Sequence, residues 1–320
     1  MRAQESQSAF SGIHRVGVRS FKHFIYLDLD PPRKTTSKPM KNKHLFLLPA
    51  TIVAGFNLLA PALHAAAITW DAGGANNNWS TVNNWSDNAA ATDDDVTFNA
   101  TGALASGTTN TVEESISIAS LSYNFESATL QHTTNIAANQ TLGVTGNFSV
   151  LTGTAPAAPT NVTFTGSTGI LDVTGNSFLL ANQTASTTSS TTSVDMSALG
   201  TLTANLTGAG SIFRLGGGGA AGATTGNAVT LRLATDSTIT ASTVGVSDNS
   251  NFSTVQKMLL GSGTNTINTN ALRVGSSSGG RGAGEISFNT GTGTLLLRGL
   301  DGVAAVTTMN MVNASVNTSN

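Results

Sequence analysis

From residue 68 onward the apolar residues fall in short words in which every second position is apolar. Val96-Thr97-Phe98, Ile116-Ser117-Ile118, Leu121-Ser122-Tyr123, Asn161-Val162-Thr163-Phe164, Leu202-Thr203-Ala204-Asn205-Leu206 and Leu231-Arg232-Leu233 are examples. Alternation with period two, rich in Val, Ile, Thr and Phe, predicts β-strands. Gly and Asn between the words supply the positive-φ positions of tight turns. No stretch after residue 68 carries a 3.6-residue amphipathic period. Ser/Thr/Gly-rich sequence is often disordered, but disordered chains are poor in β-branched and aromatic residues. Here those residues recur regularly, and an ordered all-β chain is expected.

The words also repeat at a longer interval. Leu233, Leu260 and Phe288 are 27 and 28 residues apart. Ile239, Ile267 and Leu295 are spaced by 28 and 28, as are Val244, Leu272 and Leu300. Val246 and Val274 match as well, and Gly302 breaks the third copy. Self-similarity at this interval marks a solenoid. With period-two words inside each copy, the expected fold is a right-handed parallel β-helix. Each coil stacks its apolar positions on the next, Leu233 on Leu260 on Phe288. About nine coils, each rising about 4.8 Å, would make a rod roughly 40 Å long. In this register Leu260 points inward and Leu259 outward.

The segment before residue 68 is of another kind. Met40-Lys41-Asn42-Lys43 precedes an apolar run from Leu45 to Leu63, and Ala65-Ala66-Ala67 follows. Basic flank, apolar run and small-residue exit, in that order, predict a secretory signal peptide over 40–67. Pro49, Gly55, Asn57 and Pro61 argue against a stable membrane span of the same length. Residues 1–39 show no sustained period and read as an extension upstream of the true start at Met40. The mature chain would begin near Ile68-Thr69-Trp70, and no retained membrane span is expected.

All three tryptophans, Trp70, Trp79 and Trp85, lie within one stretch of sixteen residues just past this new start. A solenoid needs its open end covered. A Trp-rich N-terminal cap over 68–100 is therefore expected, ahead of a repeat region over 101–320. A sharper reading makes Trp79 and Trp85 candidate glycan contacts, because exposed indole faces pack on pyranose rings. Asp93-Asp94-Asp95 offers oxygen ligands of the kind Ca²⁺ takes. It is a single cluster leading straight into a strand, so a turn is expected there and no metal.

Charge and composition narrow the function. Beyond residue 67 the chain carries fourteen acidic residues against six basic ones, Arg214, Arg232, Lys257, Arg273, Arg281 and Arg298. Such an acidic, sparsely charged chain is a poor match to nucleic acid. There is no cysteine, so disulfides and thiolate sites are excluded. One histidine, His132, and one tyrosine, Tyr123, remain beyond residue 67. A general base needs an orienting partner, and paired carboxylates need a defined separation. Asp172 and Asp195 fall in different coils and could approach each other, but so could any two residues on a solenoid face. No catalytic residue and no cofactor are expected.

The run from Trp70-Asp71 through Asn78-Trp79-Ser80, Asn84-Trp85-Ser86 and Asp94-Asp95-Val96-Thr97-Phe98-Asn99 to Ser117-Ile118-Ala119-Ser120-Leu121 resembles the opening of large secreted proteins with autotransporter-associated β-strand repeats. Gly261-Ser262-Gly263-Thr264-Asn265, Arg273-Val274-Gly275 and Gly293-Thr294-Leu295-Leu296-Leu297-Arg298-Gly299 are similar to the repeats of that group. The resemblance covers most of 68–312. It implies a passenger-like β-helix on the surface of a diderm bacterium, with no catalytic residues to carry over. The chain stops at Val316-Asn317-Thr318-Ser319-Asn320 without barrel strands or a sorting segment, so a truncated gene or a released protein is expected. The sequence thus points to a secreted or cell-surface structural or adhesive protein, partnered by polysaccharide or other surface components and engaged by the secretion machinery. The alternatives are a carbohydrate-binding module built on Trp79 and Trp85, and a polysaccharide-active β-helix enzyme.

Overall fold

Nineteen strands run along the described chain, most of them alternating inward and outward positions, and pair in parallel with strands 24 to 37 residues away. A computed structural model describes residues 65–99, 108–124, 131–151, 160–182, 191–217, 228–248, 254–275 and 282–311. All of them lie in the unit Leu59–Asn320. The segment 1–39 read as an upstream extension, most of the 40–67 segment read as a signal peptide, and the last nine residues lie outside the described residues.

The pairing resolves into three ladders. The first joins β1 (Ala67–Thr69), β2 (Asp95–Phe98), β5 (Ser120–Asn124), β8 (Phe148–Leu151), β10 (Ser177–Asn182), β12 (Ile212–Gly217), the second halves of β14 (Asp236–Val246) and β16 (Thr264–Val274), and β19 (Thr308–Met311). The second joins β3 (Thr108–Val112), β6 (Gln131–Ile136), the first halves of β9 (Thr160–Val173) and β11 (Thr191–Asn205), β13 (Ala228–Arg232), β15 (Val255–Leu260) and β17 (Ala283–Phe288). The third joins β4 (Ile116–Ile118), β7 (Thr141–Val144), the second halves of β9 and β11, the first halves of β14 and β16, and β18 (Thr294–Arg298). The chain visits the second, third and first ladders in turn and then steps up one rung. This is a β-helix-like, all-β parallel fold. A strand buried on one side by its own coil and paired on both edges satisfies its backbone without any helix.

Period-two alternation decides which side chains meet. Inward columns run coil on coil, as in Val96–Leu121–Phe148–Phe178–Phe213–Val244–Leu272. Phe148, Phe178 and Phe213 stack in sequence, with ring centroids 4.3 and 4.4 Å apart and planes within 15°. The offset-stacked geometry adds roughly 0.5–1.5 kcal/mol per pair beyond burial. Many outward positions are Ser, Thr and Asn, and some bond along the ladder, as Ser149 Oγ donates to Ser122 Oγ at 3.2 Å.

The repeat read from the sequence holds between its first two copies and slips in the third. Ile239 pairs with Ile267, Val244 with Leu272 and Val246 with Val274. Leu260 pairs with Phe288, and Arg232↔Leu259 sets Leu233 beside Leu260. Leu260 is buried while Leu259 is half-buried on the outer face. Ile267, however, pairs with Leu297 and not Leu295, and Leu272 pairs with Met309 and not Leu300. Two insertions cause the slip. The corner 289–293 is two residues longer than its counterpart 261–263, and it turns through Gly291 and Gly293 at φ 74° and 148°. Residues 299–307 then stand where the preceding coil has only 269–270.

Candidate functional site

The tryptophan segment was the first place to seek a binding surface, and its geometry is that of a core. A short 3₁₀ turn, Val82–Asn84, reverses the chain so that Trp85 bridges back to Trp70. Buried Asn84 fastens the loop: its Nδ2 donates to the Asn76 and Asn78 carbonyls at 2.8 and 2.9 Å, and its Oδ1 accepts from Gly74 N at 2.9 Å. Trp79 Nε1 donates to Asn110 Oδ1 at 2.7 Å, and Trp85 Nε1 to the Trp79 carbonyl at 2.8 Å. The three rings pack edge-on within about 5 Å and rest on Phe98. Trp79 is 1% exposed and Trp85 0%. A sugar platform needs a free ring face, and neither ring has one. The candidate glycan contacts Trp79 and Trp85 are corrected to core residues. The sequence shows residue type but not exposure, and Asn110, which anchors Trp79 from 31 residues away, carries no local signal.

The other candidates also fall into structural places. His132 is buried in the second ladder, 4.9 Å from the Phe98 ring, and hydrogen-bonds the Asn99 backbone; burial pushes its imidazole down to about 4. Tyr123 bonds Thr134 Oγ1 at 3.0 Å, and burial pushes its phenol up. Asp172 lies on the outer face of the third ladder with its carboxyl raised by desolvation. Asp195 lies on the second, 4.0 Å from Arg232. The two carboxylates therefore belong to different faces. Asp94 Oδ1 accepts from Ala66 N, and Asp95 Oδ1 from Ser120 Oγ at 2.5 Å. Those carboxylates pin β1 and β5 to their neighbours. A depression beneath the 299–307 insertion is lined by Asn270, Leu300, Asp301 and Ala305. Its one ionisable group, Asp301, already accepts from Val303 N and Ala304 N at 2.9 and 2.8 Å.

One charged cluster stands out on the outer face of the first ladder. Arg214 on β12, Gly245 on β14 and Arg273 on β16 occupy one outward column on successive rungs. The chain leaves β14 through Ser247 in a left-handed conformation, φ 62°, and brings Asp248 back over Gly245. A Cβ at Gly245 would lie 2.8 Å from the Asp248 Cβ and 3.4 Å from its Oδ2. Only glycine leaves room for the carboxylate between the arginines. Arg273 Nη1 donates to Asp248 Oδ2 at 3.3 Å. Burial lowers the Arg214 pKa, Asp248 opposes that, and Arg273 lowers it further. The cluster could not be read from the sequence, because it depends on register offsets of 31 and 28 residues and on one left-handed residue.

Among the described residues no helix is long and apolar enough to cross a membrane, and no three acidic or His side chains cluster to hold a metal. No protein-family model, curated protein or solved structure matches the chain.

Proposed function

We propose that this chain is an exported, non-catalytic β-solenoid, structural or adhesive, working at or outside the surface of a diderm bacterium. In this reading the coil is right-handed, as parallel crossovers almost always are. Translation starts at Met40, 40–67 is a cleaved leader, and the tryptophan segment caps the first coil. The observation that supports it best is the outer face of the third ladder. There Thr203, Thr238 and Thr266 stand in register on successive rungs, flanked by Asn205, Thr240 and Asn268. A face of repeating hydroxyls and amides suits many weak contacts made at once, whose strength grows with valency.

The test is to express the full chain in a diderm host and fractionate it. The protein should leave the cytoplasm with a first residue between Ala66 and Ile68 by mass spectrometry. Once exported, it should be retained by polymeric cell-surface glycan and not by short oligomers of the same sugar. An intact chain starting at Met1 in the cytoplasm overturns the reading, as does turnover of pectin, alginate, xylan or chitin.

A further inference from the structure

Five basic residues are described beyond the leader, and they are not paired alike. Arg232 faces Asp195 at 4.0 Å and Lys257 faces Glu285 at 3.4 Å, one cation to one anion. Arg298 is exposed and reaches only the Gly302 carbonyl, at 3.5 Å. Arg214 and Arg273 differ: they share the one carboxylate of Asp248, which bonds Arg273 at 3.3 Å and acts on Arg214 through its charge alone. In an otherwise acidic chain this outward column holds a surplus of positive charge. The Asp248 side chain is 2% exposed while that of Arg273 keeps 39%. The internal anion is therefore buried beside Arg273, whose outer edge remains open, while Arg214 is half-buried.

From this arrangement we infer that Arg214 and Arg273 form an oxyanion site for the carboxylate or sulfate groups of an acidic polysaccharide. The inference rests on the proposed exported scaffold for the source of the ligand, not for the site. Two rungs separate the arginines, roughly 9–10 Å along the ladder. Each guanidinium offers a planar fork that fits a carboxylate or sulfate edge bidentately. A polyanion running along the ladder would meet both, and neighbouring Asn310, paired with Arg273, extends the polar edge by one rung. Asp248 acts as a built-in competitor. It holds the guanidiniums in place, and it lowers affinity by supplying one negative charge of its own. Gly245 fixes that competitor at its depth.

The competitor makes the site testable. Binding of the full chain to alginate oligomers, dextran sulfate, inorganic sulfate and neutral dextran is measured by calorimetry at fixed ionic strength. Alginate and dextran sulfate should bind and neutral dextran should not. Arg214→Gln and Arg273→Gln should each weaken binding about tenfold, the value of one charge-assisted contact. Asp248→Asn should tighten it severalfold, whereas a purely internal ion pair would give no gain. Lys257→Gln, on another ladder, should leave it unchanged. Circular dichroism melts verify folding of each variant. Competition by inorganic sulfate at millimolar concentration would assign the site to a free anion, and its failure to compete would assign it to the polymer. Alginate binding that is absent, or unchanged in Arg214→Gln, overturns the inference. Export is scored separately by fractionation, so failure of the scaffold reading remains distinguishable.

Discussion

One inward column tells two stories. It starts at Trp70, passes through Phe98, Tyr123, Val150, Leu180, Leu215, Val246 and Val274, and ends at Met311. Trp70 is 0% exposed and Met311 67%. Both point inward, and both belong to rungs at an end of the described ladder. At the first end the chain loops out and back through the 3₁₀ turn and packs Trp79 and Trp85 against Phe98. At the other, β17, β18 and β19 each pair on one edge alone among the described residues. Pointing inward is thus only half of burial in a stacked coil. The other half comes from the rung above, or from side chains that take its place.

The sharpest break of this contrast lies in the column Leu233–Leu260–Phe288, buried at its first two positions and half-buried at the last. Leu260→Asp buries a charge with a rung on either side. The lost leucine costs about 2–5 kcal/mol, and the unpaired carboxylate several more. Thermal melts should show the chain failing to fold cooperatively. Phe288→Asp, half-buried on the last rung, should cost clearly less. Leu259→Asp, on the outer face, should stay within about 1 kcal/mol. Equal losses at Leu260 and Leu259 would refute the inward–outward assignment.

Next in size is truncation at the two ends. Trp85→Ala should cost about 3–5 kcal/mol, the usual loss for a buried aromatic. Met311→Ala should cost under about 0.5 kcal/mol. Denaturant midpoints of the two variants make the comparison.

Acid sharpens the contrast further, because buried His132 packs against Phe98 near the tryptophan end. The His132 imidazole titrates near 4 in the folded chain and near 6.5 unfolded. Between those values the unfolded state binds a proton that the folded state refuses. Stability should therefore fall as pH drops from about 6.5 to 4, by up to about 3 kcal/mol from this group. Stability measured by urea unfolding across that window should lose most of this slope in His132→Leu.

The smallest effect belongs to β19, which among the described residues pairs on one edge alone. Met309→Lys with Met311→Lys should leave the melting temperature nearly unchanged. It should also reduce self-association in light scattering, since lysine on a strand edge opposes pairing with another chain.

The strands were legible because alternation is local. Ile239 and Ile267, or Val244 and Leu272, could be matched by eye because their coils share one length. The third copy was misread because insertions at 289–293 and 299–307 move Leu297 and Met309 into the columns assigned to Leu295 and Leu300. The earlier coils hid their repeat altogether: Leu121, Phe148, Phe178 and Phe213 are 27, 30 and 35 residues apart. Pairing fixes such columns and spacing does not. The burial of Trp79 and Trp85 was illegible for the same reason. Their cover comes from Asn110 and Phe98, which only the fold brings near.

Register is therefore the central claim, and a chain without cysteine allows it to be measured directly. Stacked rungs place paired Cα atoms about 4.8 Å apart, inside the range a disulfide spans. Ser122 and Ser149 are such a pair on the outer face of the first ladder. The double variant Ser122→Cys/Ser149→Cys should oxidise to an intramolecular disulfide in nearly all molecules, seen as a mobility shift reversed by reductant. Ser120→Cys/Ser149→Cys, slipped by two residues along the same face, should not. Cross-linking of the slipped pair with failure of the registered one would contradict the stacked-coil arrangement.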